Sequence, residues 1–325
     1  MKRWQSCILL FSALLLTACD GDQSMFRPAG SEADKVVFLY WTMVIGFAFV
    51  FFLVMGLVLI AFAGPSQWRV WLQSEKQIIG LGLVFPVIVL SGLLVWGYLL
   101  LGSSSLANGK PDLKIRVEGA QWWWRVTYLL EDGARVETAN EVRIPVGKLI
   151  ELELVSADVL HSFWVPAWTG KMDMIPGHTN ILRFVVDTPG TVKGQCAEYC
   201  GGAHAFMSLY GVAIDEQTFE SWLEAESAPA VPLSQHPGRQ VYLSTGCGAC
   251  HQVRGQIGPG GSGPDLTHVG SRLSLGAGIL PNDTEAFERW MARHPFIKPG
   301  NRMPAFGFLS DLERRQLARY LDALE

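Results

Sequence analysis

Two thiols separated by two residues and followed at once by an imidazole, Cys247-Gly-Ala-Cys250-His251, form the most specific chemical pattern in the chain. That spacing lets both sulfurs add to the two vinyl groups of a haem while the adjoining histidine reaches the iron. A zinc half-site or a redox dithiol would use the cysteines alone and leave His251 without a purpose. Upstream lies another set. Gly194-Gln-Cys196-Ala-Glu198-Tyr-Cys200-Gly-Gly-Ala-His204-Ala-Phe-Met207 gathers two thiols, an imidazole and a thioether within twelve positions, and His161 stands 35 residues before Cys196. Soft sulfur combined with imidazole selects copper over hard cations. A disulfide would account for Cys196 and Cys200 but not for His204 or Met207.

The surroundings of Cys247 to His251 extend the first reading. A helical run, Arg239 to Thr245, precedes it, Gly263-Pro264-Asp265-Leu266 follows it, and Met303, in Arg302-Met303-Pro304, lies 52 residues beyond His251. This arrangement resembles the small soluble cytochromes c. The resemblance implies that His251 ligates the haem iron, that Pro264 offers its carbonyl to that imidazole, and that Arg272 meets a haem propionate. Four residues compete for the sixth position: Met291, Met303, His268 and His294. Met291 shares helical spacing with Phe287, Trp290 and His294 and reads as core. Met303 precedes a proline, so its backbone favours an extended loop able to lay a thioether across a haem face, and it is the preferred ligand. A Met/His pair raises the haem potential and closes the iron to substrates, which suits an electron carrier.

These groups need elements to hold them. Across 325 residues, 49% are hydrophobic and 17% charged, which excludes a disordered chain, and 26 basic against 30 acidic residues leave no footprint for nucleic acid. Met1 to Ala18, with Lys2 and Arg3 before the apolar run Ile8 to Leu16, reads as a signal peptide. Leu16-Thr-Ala-Cys19 resembles a bacterial lipobox, which implies lipidation of Cys19. Val36 to Ala63 and Ile78 to Leu101 carry no charge; at 1.5 Å per helical residue they reach roughly 42 and 36 Å, enough to span a bilayer twice. Arg69 and Lys76 against Glu75 place the intervening loop inside, and everything after residue 102 outside.

Residues 105–225 then read as an all-β sandwich or barrel. Its β-branched and aromatic runs are Leu113 to Val117, Leu149 to Val155 and Ile181 to Val186, and a short helix from about Glu216 to Glu224 closes it. Glu151-Leu-Glu-Leu154 alternates an acidic with an apolar face and predicts a half-exposed strand. Residues 226–236, with Pro229 and Pro232, read as a linker that would reach roughly 20 Å as a flexible tether. Residues 237–325 are mostly helical by pattern and end in an amphipathic helix over Asp311 to Leu324. Residues 110–227 hold 10 basic and 17 acidic residues, and 237–325 hold 10 and 8. Such opposite signs would orient two docking modules.

Two apolar helices, Gln121-Trp-Trp-Trp124, His161-Ser-Phe-Trp164, Lys171-Met-Asp-Met-Ile-Pro-Gly177 and the cysteine block follow one another in an order that resembles subunit II of cytochrome c oxidase. The attached haem module makes the whole similar to the caa type. The resemblance implies a two-helix membrane hairpin, a cupredoxin-like Greek-key barrel and an all-α class I cytochrome c domain. It implies a dinuclear copper centre, CuA, bridged by Cys196 and Cys200, with His161 and His204 ligating one copper each and Met207 and the Glu198 carbonyl as weak ligands. The Glu198 carboxylate would face a magnesium ion shared with subunit I. Trp122 matches the tryptophan through which electrons come in, whereas Trp123 and Trp124 read as packing. His178, His236 and His268 match no role and read as surface or loop histidines. Many members place a glutamate near the start of the second helix; Ile78, Ile79 and Gly80 stand here, so no proton-path residue is carried over.

The expected function is therefore electron input to a respiratory haem-copper oxidase in a bacterial cell membrane. An external cytochrome c or similar donor would feed the haem, and subunits I and III would be partners. A membrane-anchored copper chaperone is the rival, with no use for Met207 or haem. Quinol-oxidase subunits lack the copper ligands, and nitrous oxide reductase lacks the two-helix anchor.

Overall fold

The computed structural model describes residues 21–104, 109–256 and 260–325. The signal segment and Cys19 lie outside the described residues. The apolar N-terminal part forms one compact unit of helices: α1 (Ser31–Ala63), α2 (Ser66–Leu72), α3 (Glu75–Ile79) and α4 (Phe85–Ser104). A π-turn, Gly80–Val84, joins α3 to α4 without a break. Mean hydropathy peaks at 3.0 in α1 and 2.7 over Glu75–Leu100, and neither window buries a residue within the chain. Phe38 and Trp96 nevertheless meet edge to face at 6.0 Å between centroids, linking α1 to α4. The first helix starts five residues before the charge-free stretch because Glu32 and Asp34 suit the positive end of a helix dipole.

The second unit contains a β domain and a haem-motif domain. Strands β1 (Leu113–Ala120), β2 (Trp123–Leu129), β3 (Arg135–Ala139), β5 (Ile150–Ser156) and β8 (Asn180–Phe184) make a sheet ordered β3-β2-β1-β5-β8. A second sheet, β4-β10-β9-β6-β7, is built from β4 (Glu141–Pro145), β6 (His161–Trp164), β7 (Met172–Met174), β9 (Gly190–Cys196) and β10 (Ser208–Ile214). The pairs β1/β5 and β4/β10 run parallel and the rest antiparallel. Alternate residues of both sheets, among them Ile115, Trp124, Leu152, Ile144 and Phe163, enclose one apolar core. The acidic face of β5 is only partly solvated, Glu153 staying half-exposed. Glu151 is buried because Lys114 on β1 and Arg183 on β8 flank it from both neighbouring strands, at 2.9 and 2.5 Å.

The helix after the barrel, α5 (Glu216–Ser227), is capped by the Asp215 side chain accepting from Thr218 N–H at 2.9 Å. Phe219 and Trp222 lay its apolar face on Tyr128. The segment that follows is held down along its length instead of tethering freely. Ala230 N–H donates to the Arg254 carbonyl at 3.0 Å, and the His268 ring donates to Ala228 C=O at 3.0 Å. His268, expected at the surface, is buried for that reason.

Three helices build the last domain: α6 (Pro237–Ser244), α7 (Thr284–Ile297) and α8 (Asp311–Asp322). Ser310 and Glu313 close a reciprocal cap on α8, and Asp283 caps α7. Their inward faces meet in a second core of Tyr242, Phe287, Met291, Leu317 and Tyr320, so Met291 packs as its spacing predicted. The crossing of α6 and α8 is set by Gly238, where an added Cβ would lie 2.0 Å from the Gln316 carbonyl oxygen and 2.6 Å from Tyr320 Cβ. Gly238→Ala is expected to destabilise this domain by about 1–3 kcal/mol or more, as overpacking does. Thermal unfolding followed at the haem absorbance checks it, and an unchanged midpoint would refute the steric account.

Candidate metal centres

The loop between β9 and β10 carries most of the first cluster. Cys196 ends β9, Cys200 follows in the loop, His204 opens a single 3-10 turn (His204–Phe206), and Met207 stands immediately before β10. His161 arrives from β6, whose pairing sets Phe163 opposite Cys196. The Cys196 N–H donates to the Met207 carbonyl at 2.9 Å and closes the loop on itself. Gly119 on β1 leaves room for the His161 ring, since a Cβ there would approach its Cδ2 to 2.9 Å.

This arrangement brings the five predicted side chains together. The two sulfurs of Cys196 and Cys200 are 3.7 Å apart, far beyond the ~2.05 Å of a disulfide. His161 Nδ1 lies 3.8 Å from Cys196 Sγ, His204 Nδ1 lies 3.5 Å from Cys200 Sγ, and Met207 Sδ lies 3.9 Å from Cys200 Sγ. The Glu198 carbonyl oxygen is 3.2 Å from Cys196 Sγ. Both imidazoles thus turn Nδ1 to the sulfurs, and His161 Nε2 is fixed at 2.9 Å from Asp158 Oδ1. A soft, largely buried donor set, with His204 half-buried, oriented by its outer partners fits copper. The hydrogen bond from Cys200 holds Cys196 as a thiolate, its pKa lowered to about 3 against the opposing effect of burial, and the same bond pushes Cys200 up. Burial lowers the His161 pKa, but hydrogen bonds to Cys196 and Asp158 outweigh it and leave a net rise. The Glu198 carboxylate is half-buried with Lys171 Nζ at 3.7 Å.

The second cluster is organised around His251. Cys247 opens a 3-10 turn (Cys247–Ala249), His251 N–H returns to the Cys247 carbonyl at 3.0 Å, and Cys250 accepts from Gly263 N–H at 2.9 Å. His251 Nδ1 lies 2.8 Å from the Pro264 carbonyl oxygen. A carbonyl only accepts, so Nδ1 carries the proton and Nε2 is left with a lone pair, the form a haem iron requires. Burial keeps that ring below the ordinary histidine pKa and therefore neutral. Arg272, assigned to a propionate by resemblance, is buried; one end donates to the Asp265 carbonyl while Nε has no protein partner among the described residues. The histidines that competed for the sixth position are engaged elsewhere: His294 hydrogen bonds through both ring nitrogens, to Pro304 and Asn301, and His268 holds Ala228. Met303 is part-buried against the second core.

The β domain and the haem-motif domain meet at the loop bearing Met303. Arg302 donates to Gln121 Oε1 at 3.3 Å and lies 3.8 Å from Asp158 Oδ2. Gly300 stacks on the Trp122 ring, a Cβ there being 3.1 Å from it. Trp122 in turn donates its indole N–H to the Cys200 carbonyl at 3.1 Å, beside a second bond from Gln121 at 2.8 Å. Trp124 is core and Trp123 lies under Arg125. Away from the loop, Ser208 N–H and Lys193 Nζ donate to Ala277 and Gly278 carbonyls, both at 3.1 Å. Lys298, on the same loop, is 3% exposed and donates to Gly276 C=O at 2.8 Å. Burial lowers its pKa to about 7 from the ordinary 10.5. Between those values the unfolded chain holds the extra proton, so stability rises with pH, by at most ~1.4 kcal/mol per unit. Lys298→Met is expected to flatten that rise in a comparison of unfolding midpoints between pH 7 and 10; identical slopes would contradict it.

Asp158 escaped the motif reading, and Gln121, though part of the Gln121-Trp-Trp-Trp124 run, carried no role there, because outer partners have no spacing rule of their own. An acid three residues before a candidate ligand was the one available signal.

Residues 126–214 match the family described as cytochrome C oxidase subunit II, periplasmic domain, and residues 235–325 match cytochrome c. The chain is 33% identical over 348 residues to cytochrome c oxidase subunit 2 of Alkalihalophilus pseudofirmus, covering 100% of this chain and 99% of that protein. It is 26% identical to the Bacillus subtilis protein of the same name, over 100% and 99%. The crystallised periplasmic domain of subunit II of the Bradyrhizobium japonicum oxidase is 34% identical and covers 36% of this chain and 95% of that one, with a TM-score of 0.34. The sequence expectation of two apolar helices, a cupredoxin-like β domain and a helical cytochrome c domain is therefore met.

Proposed function

The chain belongs to the cytochrome c oxidase subunit 2 family, and from that premise we propose that it accepts electrons from an external cytochrome c or similar donor and hands them to subunit I. Membership makes it a subunit of a haem-copper oxidase, anchored in a membrane beside other oxidase subunits, with domains implying copper and haem c. When bound, the copper pair and the haem supply one-electron redox chemistry. In our reading His161, Cys196, Cys200, His204, Met207 and the Glu198 carbonyl hold the copper, Cys247 and Cys250 hold the haem, and His251 and Met303 take its iron. Pro264 fixes the proximal ring and Arg272 takes a propionate. Trp122 bridges the two sites, touching Gly300 on one side and the Cys200 carbonyl on the other. Glu198 would exchange Lys171 for a magnesium ion shared with subunit I. The soluble domains would face the outside of a bacterial inner membrane, with subunit III in the same assembly and Cys19 lipidated.

One observation carries this reading: two sulfurs too far apart to bond, with an imidazole nitrogen within 3.8 Å of each. Metal analysis of the purified full chain tests it. Two coppers with one covalent haem are expected, and reduction of the haem should be followed by reduction of the copper. One copper and no haem would instead favour delivery of copper to another protein.

A further inference from the structure

A thioether is a neutral, weak ligand on a loop, so something must hold that loop in place against its own entropy. His294 is fully buried near the end of α7. Its Nε2 lies 2.9 Å from the Pro304 carbonyl oxygen, which fixes the proton on Nε2 and leaves Nδ1 an acceptor. Nδ1 then faces the Asn301 Nδ2 amide at 3.0 Å, and that orientation turns Asn301 Oδ1 to accept from the Met303 N–H at 3.1 Å. Asn301 Nδ2 also donates to the Lys298 carbonyl at 2.8 Å. Trp290 lies against the imidazole at 5.6 Å between centroids and restrains its plane. The backbone is thus pinned at Met303 itself and at the next residue, through one imidazole and one carboxamide, whose Nδ2 also reaches the His294 carbonyl at 3.3 Å.

We infer that His294 and Asn301 are positioning residues that clamp the loop and deliver the Met303 side chain to the haem. This rests on the reading of Met303 as the sixth ligand. The clamp holds the backbone of Met303 and Pro304, so its effect is expected to run through Met303.

The experiment uses the full chain with its haem attached and four variants: Met303→Leu, His294→Phe, His294→Gln and Asn301→Ala. The readouts are the thioether-to-ferric-iron charge-transfer absorbance, the haem midpoint potential, and titration of the oxidised haem with imidazole. Met303→Leu should abolish the absorbance and open the iron to imidazole. His294→Phe and Asn301→Ala should weaken the absorbance, lower the potential and raise imidazole affinity about tenfold or more, a factor equivalent to ~1.4 kcal/mol. His294→Gln, which keeps a donor for Pro304, should recover part of the loss. Wild-type imidazole affinity in both clamp variants, with Met303→Leu open, would overturn the clamp while sparing the ligand. An unaltered spectrum in Met303→Leu would overturn both. Asn301, only half-buried, carries the test if His294→Phe fails to accumulate.

Discussion

Replacing Cys200 by serine should strip the copper from the chain and leave the haem attached. The serine is nearly isosteric and the position is only 3% exposed, so the fold should bear the change at a cost of about 1–3 kcal/mol for an imperfectly paired buried hydroxyl. The donor set bears it far less well. In our reading the Cys200 sulfur would serve both metals, and it lies within 3.9 Å of donor atoms of Cys196, His204 and Met207. Loss of a partner outside the ligand set, such as Asp158→Asn, is expected to weaken copper binding by about 10–100-fold, and removal of a shared thiolate should exceed that. Haem attachment should be untouched because Cys247 packs against a separate core and Cys250 follows it three residues on. Copper content per covalent haem, measured after equilibration with excess metal, is the test. Two coppers per haem in Cys200→Ser would sink the assignment.

The second large effect is expected at Trp122. Its ring lies between Gly300, three residues before Met303, and the Cys200 carbonyl. Trp122→Ala removes a side chain that touches both, opens a cavity costing about 3–5 kcal/mol, and should slow transfer between haem and copper by orders of magnitude with both metals still loaded. Trp122→Phe keeps the ring but loses the indole donor, while Gln121 still holds the Cys200 carbonyl at 2.8 Å; its effect should be small. Time-resolved absorbance at the two centres after photoreduction of the haem distinguishes them. Wild-type kinetics in Trp122→Ala would mean that electrons take another route.

Charge is a weaker part of the same contact. The opposite signs of the two domains suggested docking from a flexible tether, but the structure gives a narrower picture. Arg302 meets Asp158 and Gln121, whereas Lys193, Arg125, Arg254 and Glu141 spend their charged ends on backbone groups of the other domain, contacts that no charge count reports.

Much of this molecule was legible before any coordinates. Cys247-Gly-Ala-Cys250-His251 is local chemistry, since two thioethers and an axial ligand must follow one another along the chain. Cys196, Cys200, His204 and Met207 fall on one loop, so their proximity is also nearly local. The uncharged stretches of α1 and Glu75–Leu100 declared themselves through length and composition. What remained hidden was whatever depends on two distant segments meeting. Glu151 was read as exposed because alternation reports one strand, and its burial depends on cations from the strands on either side. His268 was read as superficial because the segment that covers it lies 40 residues away. Gly300 on Trp122 belongs to the same class, while Asp158 beneath His161 and the His294–Asn301 pair under Met303 are close in sequence but follow no spacing rule. Residue type and spacing determine which atoms can bind a metal, because ligation is a property of side chains. Only the tertiary structure decides how those atoms are aimed, because orientation is imposed by hydrogen bonds and packing from residues that sequence keeps far apart.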